Sequence, residues 1–184
     1  MRIIGGTLGG RRIQPPAKMP HTRPTTDIAK EGLFNIIQSN REIEGMQTLD
    51  LFGGTGCISY ELASRGAARL TIVEKDPNMQ AFIKQTANKL GLGDQFRVVP
   101  SDVFRFLKTD TGKYDFIFAG PPYALETIDE LPRLIAAGEF LSPGGWFVLE
   151  HTPRNRYKEY PLFVSERNYG TTLFSIFVNK QGNA

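Results

Sequence analysis

Three features of this 184-residue sequence predict an α/β protein built on a mostly parallel sheet. Four short apolar runs, at 48–52, 69–73, 96–99 and 114–119, alternate with stretches whose apolar residues recur at three and four, the pattern of strands joined by crossover helices. The first run passes straight into the glycine-rich turn Gly53-Gly54-Thr55-Gly56, at the carboxyl end of its strand, where open α/β sheets bind ligands. The last third reads as two strands, 158–167 and 171–179, joined through Asn168-Tyr169-Gly170, an antiparallel finish to a parallel sheet.

Taken in order, residues 2–13 read as two short strands about a glycine-rich turn, with Arg2, Arg11 and Arg12 at the ends and too little core to stand alone. Pro15, Pro16, Pro20 and Pro24 then punctuate an irregular strap that carries Lys18, His21 and Arg23. From Thr25 the pattern turns helical. Ile28, Leu33, Phe34, Ile36 and Ile37 share one face, Thr25 or Thr26 supplies the cap, and the helix runs to about Ser39. Residues 1–40 are therefore expected to form a basic extension, and residues 41–184 the core.

In the core, the strand from Thr48 to Phe52 is followed by a helix that starts near Cys57, buries Ile58, Leu62 and Ala63, and stops near Gly66. The strand from Arg69 to Val73 ends at Glu74, and Met79, Phe82, Ile83, Ala87 and Leu90 mark a helix closed by Gly91. After the strand Phe96–Val99 comes Asp102, placed to cap a turn over Val103–Leu107. The strand Tyr114–Ala119 leads into Gly120-Pro121-Pro122-Tyr123, where two prolines exclude both helix and ladder and leave a rigid extended turn that displays an aromatic ring. A helix over 127–137, a Pro143-Gly144-Gly145 turn and the strand Trp146–Glu150 complete the parallel part, with Trp146 read as core.

Composition narrows the class. A 40% hydrophobic content suffices for a sizeable core, no apolar run approaches the ~20 residues of a membrane span, and Met1-Arg2 leads into glycines rather than an apolar signal segment. A cytoplasmic protein is the expectation. The single Cys57 excludes an intramolecular disulfide; it is either a helix-start thiol of lowered pKa or a small buried residue. His21 and His151 are too isolated for a metal site and are read as surface or locally hydrogen-bonded residues. Residues 1–30 carry a net charge of +5 within a total of +3. Such asymmetry fits a polyanion-facing arm or a solvated basic surface, and charge alone leaves both open.

The ligand of the glycine loop is a question of charge. Asp50 stands where a pyrophosphate would meet a carboxylate, and Ser59 occupies the place of the third glycine of a dinucleotide fingerprint. S-adenosylmethionine suits the position better: its ammonium and sulfonium are cationic, and its carboxylate can lie at the helix N-terminus. Glu74, eighteen residues after Gly56, is where a ribose-binding acid belongs, and Asp102 can meet an adenine amine, cap its helix, or do both. Phe52 and Phe104 either flank the adenine or pack in the core. A tight strand-to-helix turn with no ligand is the alternative to all of this.

The run Asp50-Leu51-Phe52-Gly53-Gly54-Thr55-Gly56, then Glu74, Asp102 and Pro121-Pro122-Tyr123, resembles the class I S-adenosylmethionine-dependent methyltransferases. Arg2-Ile3-Ile4-Gly5-Gly6, Gly10-Arg11, and Arg23-Pro24-Thr25-Thr26-Asp27 with Lys30-Glu31-Gly32-Leu33-Phe34-Asn35 are more specific. They are similar to the RsmD-type enzymes, which methylate a guanine at N2 in 16S ribosomal RNA. The resemblance covers nearly the whole chain. It implies a Rossmann-like seven-stranded sheet with a C-terminal antiparallel hairpin and an N-terminal β-hairpin that touches RNA. It also implies S-adenosylmethionine as donor with S-adenosylhomocysteine as product, no metal, and a monomer acting on 16S rRNA within small-subunit particles. By residue, it implies a cofactor site of Arg23, Thr25, Asp50, Phe52, Gly53, Gly54, Thr55, Gly56, Glu74, Asp102 and Val103, closed with help from Asp27. Arg2, Arg11, Arg12 and Lys18 would meet phosphates, and Gly120, Pro121, Pro122 and Tyr123 would form the catalytic loop, Tyr123 stacking on a flipped or unpaired base.

One residue departs from that pattern. The family has Asp or Asn before Pro-Pro-Tyr or Pro-Pro-Phe, and this chain has Gly120. An exocyclic amine is a poor nucleophile because its lone pair is delocalised into the ring, so a side-chain oxygen that orients it and stabilises developing positive charge is worth on the order of 10²–10³ in rate. Asp115, five residues upstream on an extended strand, is roughly 16 Å away and cannot substitute; Glu126 is a second candidate. Three readings stay open: an active guanine-N2 methyltransferase that compensates Gly120, a cofactor- and RNA-binding homologue with little catalysis, or a methyltransferase for DNA adenine or a protein glutamine.

Overall fold

The structure, a computed structural model, describes residues 1–19 and 25–180, so His21 and Arg23 lie outside the described residues. In chain order the elements are α1 (Asp27–Asn40), β1 (Gln47–Leu51), α2 (Cys57–Ser64), β2 (Arg69–Glu74), α3 (Pro77–Lys89), β3 (Phe96–Pro100), α4 (Val103–Thr109), β4 (Tyr114–Ala119), α5 (Glu130–Ala137), β5 (Leu141–His151), β6 (Phe163–Tyr169) and β7 (Thr172–Val178). One seven-stranded sheet has the order β3-β2-β1-β4-β5-β7-β6, parallel from β3 to β5 and antiparallel at β7 and β6. The order reverses direction between β1 and β4, which opens a crevice at the carboxyl ends of those two strands.

Alternation along the strands assigns side chains to two layers. Phe116, Phe118, Val148, Phe174 and Ile176 pack on one face with Leu33, Phe34 and Ile37 of α1 and Ile58 and Leu62 of α2. Leu49, Leu51, Ile117, Ala119, Phe147 and Leu149 face the other way, against Val103 and Phe106 of α4 and Leu131 and Ile135 of α5. Asp50, between Leu49 and Leu51, therefore points to the α1/α2 side. Thr26 caps α1 by accepting from the Ala29 N–H at 3.2 Å, as its sequence position predicts.

Several boundaries move for tertiary reasons. Residues 2–13 form one antiparallel bridge, Arg2 to Arg12, rather than two strands. The N–H groups of Ile4 and Gly5 are spent instead on the carboxylate of Glu61 in α2, at 2.8 and 2.9 Å. Gly6 sits at φ +78°, and a Cβ there would fall 2.0 Å from the Ser64 carbonyl oxygen, so the arm lies closer to α2 than any side chain allows. The Pro143-Gly144-Gly145 segment is a bulge inside β5 rather than a turn before it: Tyr114 pairs with Leu141, Phe116 with Trp146, and Gly144 donates to the Asn179 carbonyl. β6 begins at Phe163 instead of 158, because Tyr157 is fully buried, donates its hydroxyl to Asp129 at 2.8 Å, and holds residues 157–163 in turns. α5 begins at Glu130, three residues later than expected.

Candidate active site

The loop after β1 is shaped by three residues with positive φ: Phe52 (+62°), Gly54 (+57°) and Gly56 (+82°). Phe52, expected as the end of the strand, leaves the ladder in a conformation rare for an aromatic residue, a local strain of about 1–3 kcal/mol of the kind that collects at ligand sites. The turn is closed by Gly53 donating to the Val73 carbonyl at 3.0 Å and Gly56 to the Gly53 carbonyl at 2.8 Å. α2 then starts at Cys57, and Cys57 and Ile58 both border the crevice. Thr55 is buried beside it, with its hydroxyl 3.5 Å from the Met1 sulfur.

A cavity of about 400 Å³ fills this crevice. Among its walls are Thr25, Asp50, Phe52, Gly53, Gly54, Thr55, Glu74, Asp102, Val103, Gly120, Pro121, Pro122 and Tyr123. With Gly56 closing the turn beneath them, the described residues read as catalytic or cofactor-binding from the sequence gather around one space. Asp50 is buried and accepts from the Ser59 hydroxyl at 2.8 Å; burial, outweighing that bond and reinforced by the charge of Glu74, pushes its carboxyl up to about 7. Glu74 is oriented by two backbone donors, Gly54 at 2.7 Å and Asp76 at 3.0 Å. A carboxylate has about four acceptor positions, so Glu74 keeps two for ligand hydroxyls. Asp102 caps α4 through Oδ1, accepting from Arg105 at 3.1 Å, and faces the cavity, so the cap leaves its second oxygen for a ligand.

The acids are ordered along the sheet edge. Asp102 follows β3, Glu74 ends β2 and Asp50 lies near the end of β1, an arrangement that suits a ligand with cationic and hydroxylic groups lying across these strands. Beyond β1, the wall is made by Gly120-Pro121-Pro122-Tyr123 after β4 and by Glu150 of β5. Tyr123 is half-buried, with its hydroxyl 3.4 Å from that of Thr172. Glu150 is buried and accepts from the Thr25 hydroxyl at 3.1 Å, so Thr25 meets the β4–β5 half of the cavity rather than the β1–β3 half.

Sequence reasoning missed Glu150 as a site residue. The signal was available: Trp146–Leu149 is an apolar run ending in an acid at the sheet's carboxyl edge, the same sign that marked Glu74. Glu126, by contrast, is exposed and is not among the cavity walls; Asp115 accepts from the Gln47 N–H at the opposite end of the strands. Cys57 faces the cavity, but burial pushes its thiol up to about 11, which excludes the lowered-pKa alternative. His151 is the locally hydrogen-bonded residue of the two alternatives rather than a surface one: it is fully buried, 2.7 Å from the Ser175 hydroxyl and 2.9 Å from the Thr152 carbonyl, and burial lowers its pKa. Phe52 and Phe104 line the cavity and also pack on the α4/α5 core, so neither alternative excludes the other.

Arg2, Arg11, Arg12 and Lys18 are all exposed on the N-terminal arm. Asp27 lies 3.6 Å from Arg2 in a second hollow with Met1, Arg12, Ile13 and Gln14 and is not among the walls of the first cavity. Lys30, counted with the arm's charge, is 1% exposed; it donates to the Arg2 carbonyl at 2.6 Å and lies 3.5 Å from Glu61. Burial raises the Glu61 carboxyl, but the N–H groups of Ile4 and Gly5, with Arg65 and Lys30, hold it below its usual value. This network clamps the arm onto α1 and α2. Among the described residues no group of three or more His, Cys, Asp or Glu is placed to hold a metal, and no helix is long and apolar enough to cross a membrane.

The family model described as Conserved hypothetical protein 95 matches residues 1–178. Ribosomal RNA small subunit methyltransferase D of Escherichia coli (strain K12) is 34% identical over 156 residues, covering 84% of this chain and 76% of that protein. The putative rRNA methyltransferase YlbH of Bacillus subtilis (strain 168) is 33% identical over 187 residues, covering 96% and 98%. Among solved structures, a hypothetical protein of Thermus thermophilus superposes with a TM-score of 0.83 at 29% identity, covering 96% and 98%. An RNA methyltransferase from Salinibacter ruber, solved with S-adenosyl-L-homocysteine, shares the fold alone, with a TM-score of 0.66 at 17% identity over 88% and 97%. With a Rossmann-like methyltransferase sheet, a cavity at its switch point and a family match along nearly its whole length, this chain belongs to the Conserved hypothetical protein 95 family, the RsmD-type ribosomal RNA methyltransferases.

Proposed function

We propose that this protein transfers a methyl group from S-adenosylmethionine to the exocyclic N2 amine of a guanine in 16S ribosomal RNA, acting on small-subunit particles. The observation that carries the reading is the division of one cavity into a half whose acids include Asp50, Glu74 and Asp102, and a half walled by Gly120-Pro121-Pro122-Tyr123. The first half fits the cofactor by charge. Asp50 takes the ammonium, the first N–H groups of α2 take the carboxylate, Glu74 takes the ribose hydroxyls, and Asp102 takes the adenine amine. When bound, S-adenosylmethionine supplies a methyl group activated on a sulfonium. Tyr123 stacks on the target base, and the backbone at Gly120 to Pro122 holds the base edge in line with the methyl. Arg2, Arg11, Arg12 and Lys18 contact phosphates and give affinity that falls with salt.

The test is methyl transfer from labelled S-adenosylmethionine to small-subunit particles lacking this modification, followed by mapping of the labelled nucleotide. The expected product is N2-methylguanine in 16S rRNA. Label that enters duplex DNA adenine or a protein glutamine in preference to the particles would overturn the reading.

A further inference from the structure

Position 120 has no side chain, yet the space a side chain would enter is not empty. We propose that the carboxylate of Glu150, delivered from the neighbouring strand, is the acid that receives the target amine. The register places it there: Ala119 pairs with Leu149, so Gly120 and Glu150 are the next residues on adjacent parallel strands. A Cβ built on Gly120 would stand 3.2 Å from Glu150 Oε2 and 3.0 Å from the Phe118 ring. Glu150 is 5% exposed overall and contributes to the cavity wall. Its Oε1 accepts from Thr25, which orients the carboxylate with Oε2 toward Gly120.

The other acids are excluded by place. Asp50 is level with Phe118, two residues deeper than Gly120, and engages Ser59. Glu74 is on β2, two strands from β4 and so about 10 Å away at the usual strand spacing. Asp102 is farther still. Only Glu150 offers a cavity-facing carboxylate on the β4–β5 side among the described residues.

This role rests on the guanine-N2 reading. As N2 bonds to the methyl carbon, the carbon–sulfur bond breaks and its electron pair stays on sulfur, leaving a neutral thioether. Glu150 accepts a hydrogen bond from the amine, balances the positive charge that develops on nitrogen, and takes the surplus proton for release to solvent. An Asp at 120 would do the same work from the strand that carries the prolines. In this chain a side chain at 120 would press on Glu150 Oε2 and the Phe118 ring, and Gly120 leaves that space clear.

The test is a double-mutant cycle over Gly120→Asp and Glu150→Ala, with Glu150→Gln as the shape-preserving variant. Three readouts are taken: kcat on particles, S-adenosylhomocysteine affinity and melting temperature. Glu150→Ala is expected to lower kcat about 10²–10³-fold, and Glu150→Gln at least about tenfold, with S-adenosylhomocysteine affinity unchanged within about threefold. Gly120→Asp in the parent is expected to lower the melting temperature without raising kcat, because it crowds two carboxylates. In the Glu150→Ala background it is expected to be tolerated and to restore at least about tenfold of the lost kcat. A Glu150→Gln variant as active as an active parent overturns the role of Glu150 alone, as does a loss of kcat matched by a loss of cofactor affinity. A parent that binds S-adenosylhomocysteine and transfers no methyl to particles overturns the ribosomal RNA reading, and with it the amine assigned here.

Discussion

The two halves of the cavity are built by different rules. On the β1–β3 half each acid belongs to the end of its own strand or to the cap that follows it, and Glu74 is bound directly to the glycine loop at Gly54. On the β4–β5 half the loop carries no acid; the carboxylate arrives from the next strand by register and is oriented by Thr25, 125 residues away in sequence. The first half is local chemistry, and the second is assembled by packing. Substitutions should therefore separate: those on the first half act on cofactor affinity, those on the second on turnover and RNA.

The largest effect is expected where the arm is clamped onto α1 and α2. Glu61→Ala leaves Lys30 as a buried cation and removes the acceptor of Ile4 and Gly5, a loss of about 3–5 kcal/mol in unfolding free energy by chemical denaturation. A value near zero would mean that the arm's contacts with α2 are dispensable. Next is Glu74→Ala, which removes the acceptor of the Gly54 and Asp76 N–H groups and, in the proposed binding mode, of the ribose hydroxyls; it should weaken S-adenosylhomocysteine about 10²-fold by calorimetry, with little change in kcat at saturating cofactor. An equal fall in kcat would erase the distinction between the halves.

Tyr123→Ala should raise KM for particles about tenfold, from the loss of about 1–3 kcal/mol of base stacking, while Tyr123→Phe should stay near the parent and cofactor affinity should not move. The most gradual effect is a pH dependence. With Asp50 raised to about 7 by burial, and the ionised form required by the cofactor's ammonium, cofactor affinity should fall about tenfold per pH unit below 7. For the cofactor-free protein the sign is opposite. The folded state holds this proton more tightly than the unfolded chain, so Asp50's contribution to stability is full below its unfolded value of 3.8 and declines as pH rises toward 7. Asp50→Asn should flatten both profiles.

Much of this molecule is written locally. The alternation of apolar runs and helical stretches specifies parallel strands with crossover helices. The glycines at 54 and 56 permit the positive φ that the loop adopts, and acids at the ends of β1 and β2 and just past β3 mark the β1–β3 half of the cavity. Residues 2–13 do pair antiparallel, but as one bridge rather than two strands, because the N–H groups of Ile4 and Gly5 are taken by Glu61, a residue more than fifty positions away. Lys30 looked like surface charge because a helical pattern does not reveal that a carboxylate waits beneath it.

Gly120 is the sharpest instance. Read along the chain, it is a missing acid, since sequence spacing ranks candidates by distance along the backbone, and the nearest ones, Asp115 and Glu126, lie at the far end of the strands or outside the cavity walls. The sequence by itself determined the sheet, the loop, the acids at or just past the ends of their own strands and the family. The tertiary structure decided which carboxylate stands beside Gly120, because register between parallel strands brings residues thirty positions apart side by side, and no local propensity encodes that pairing.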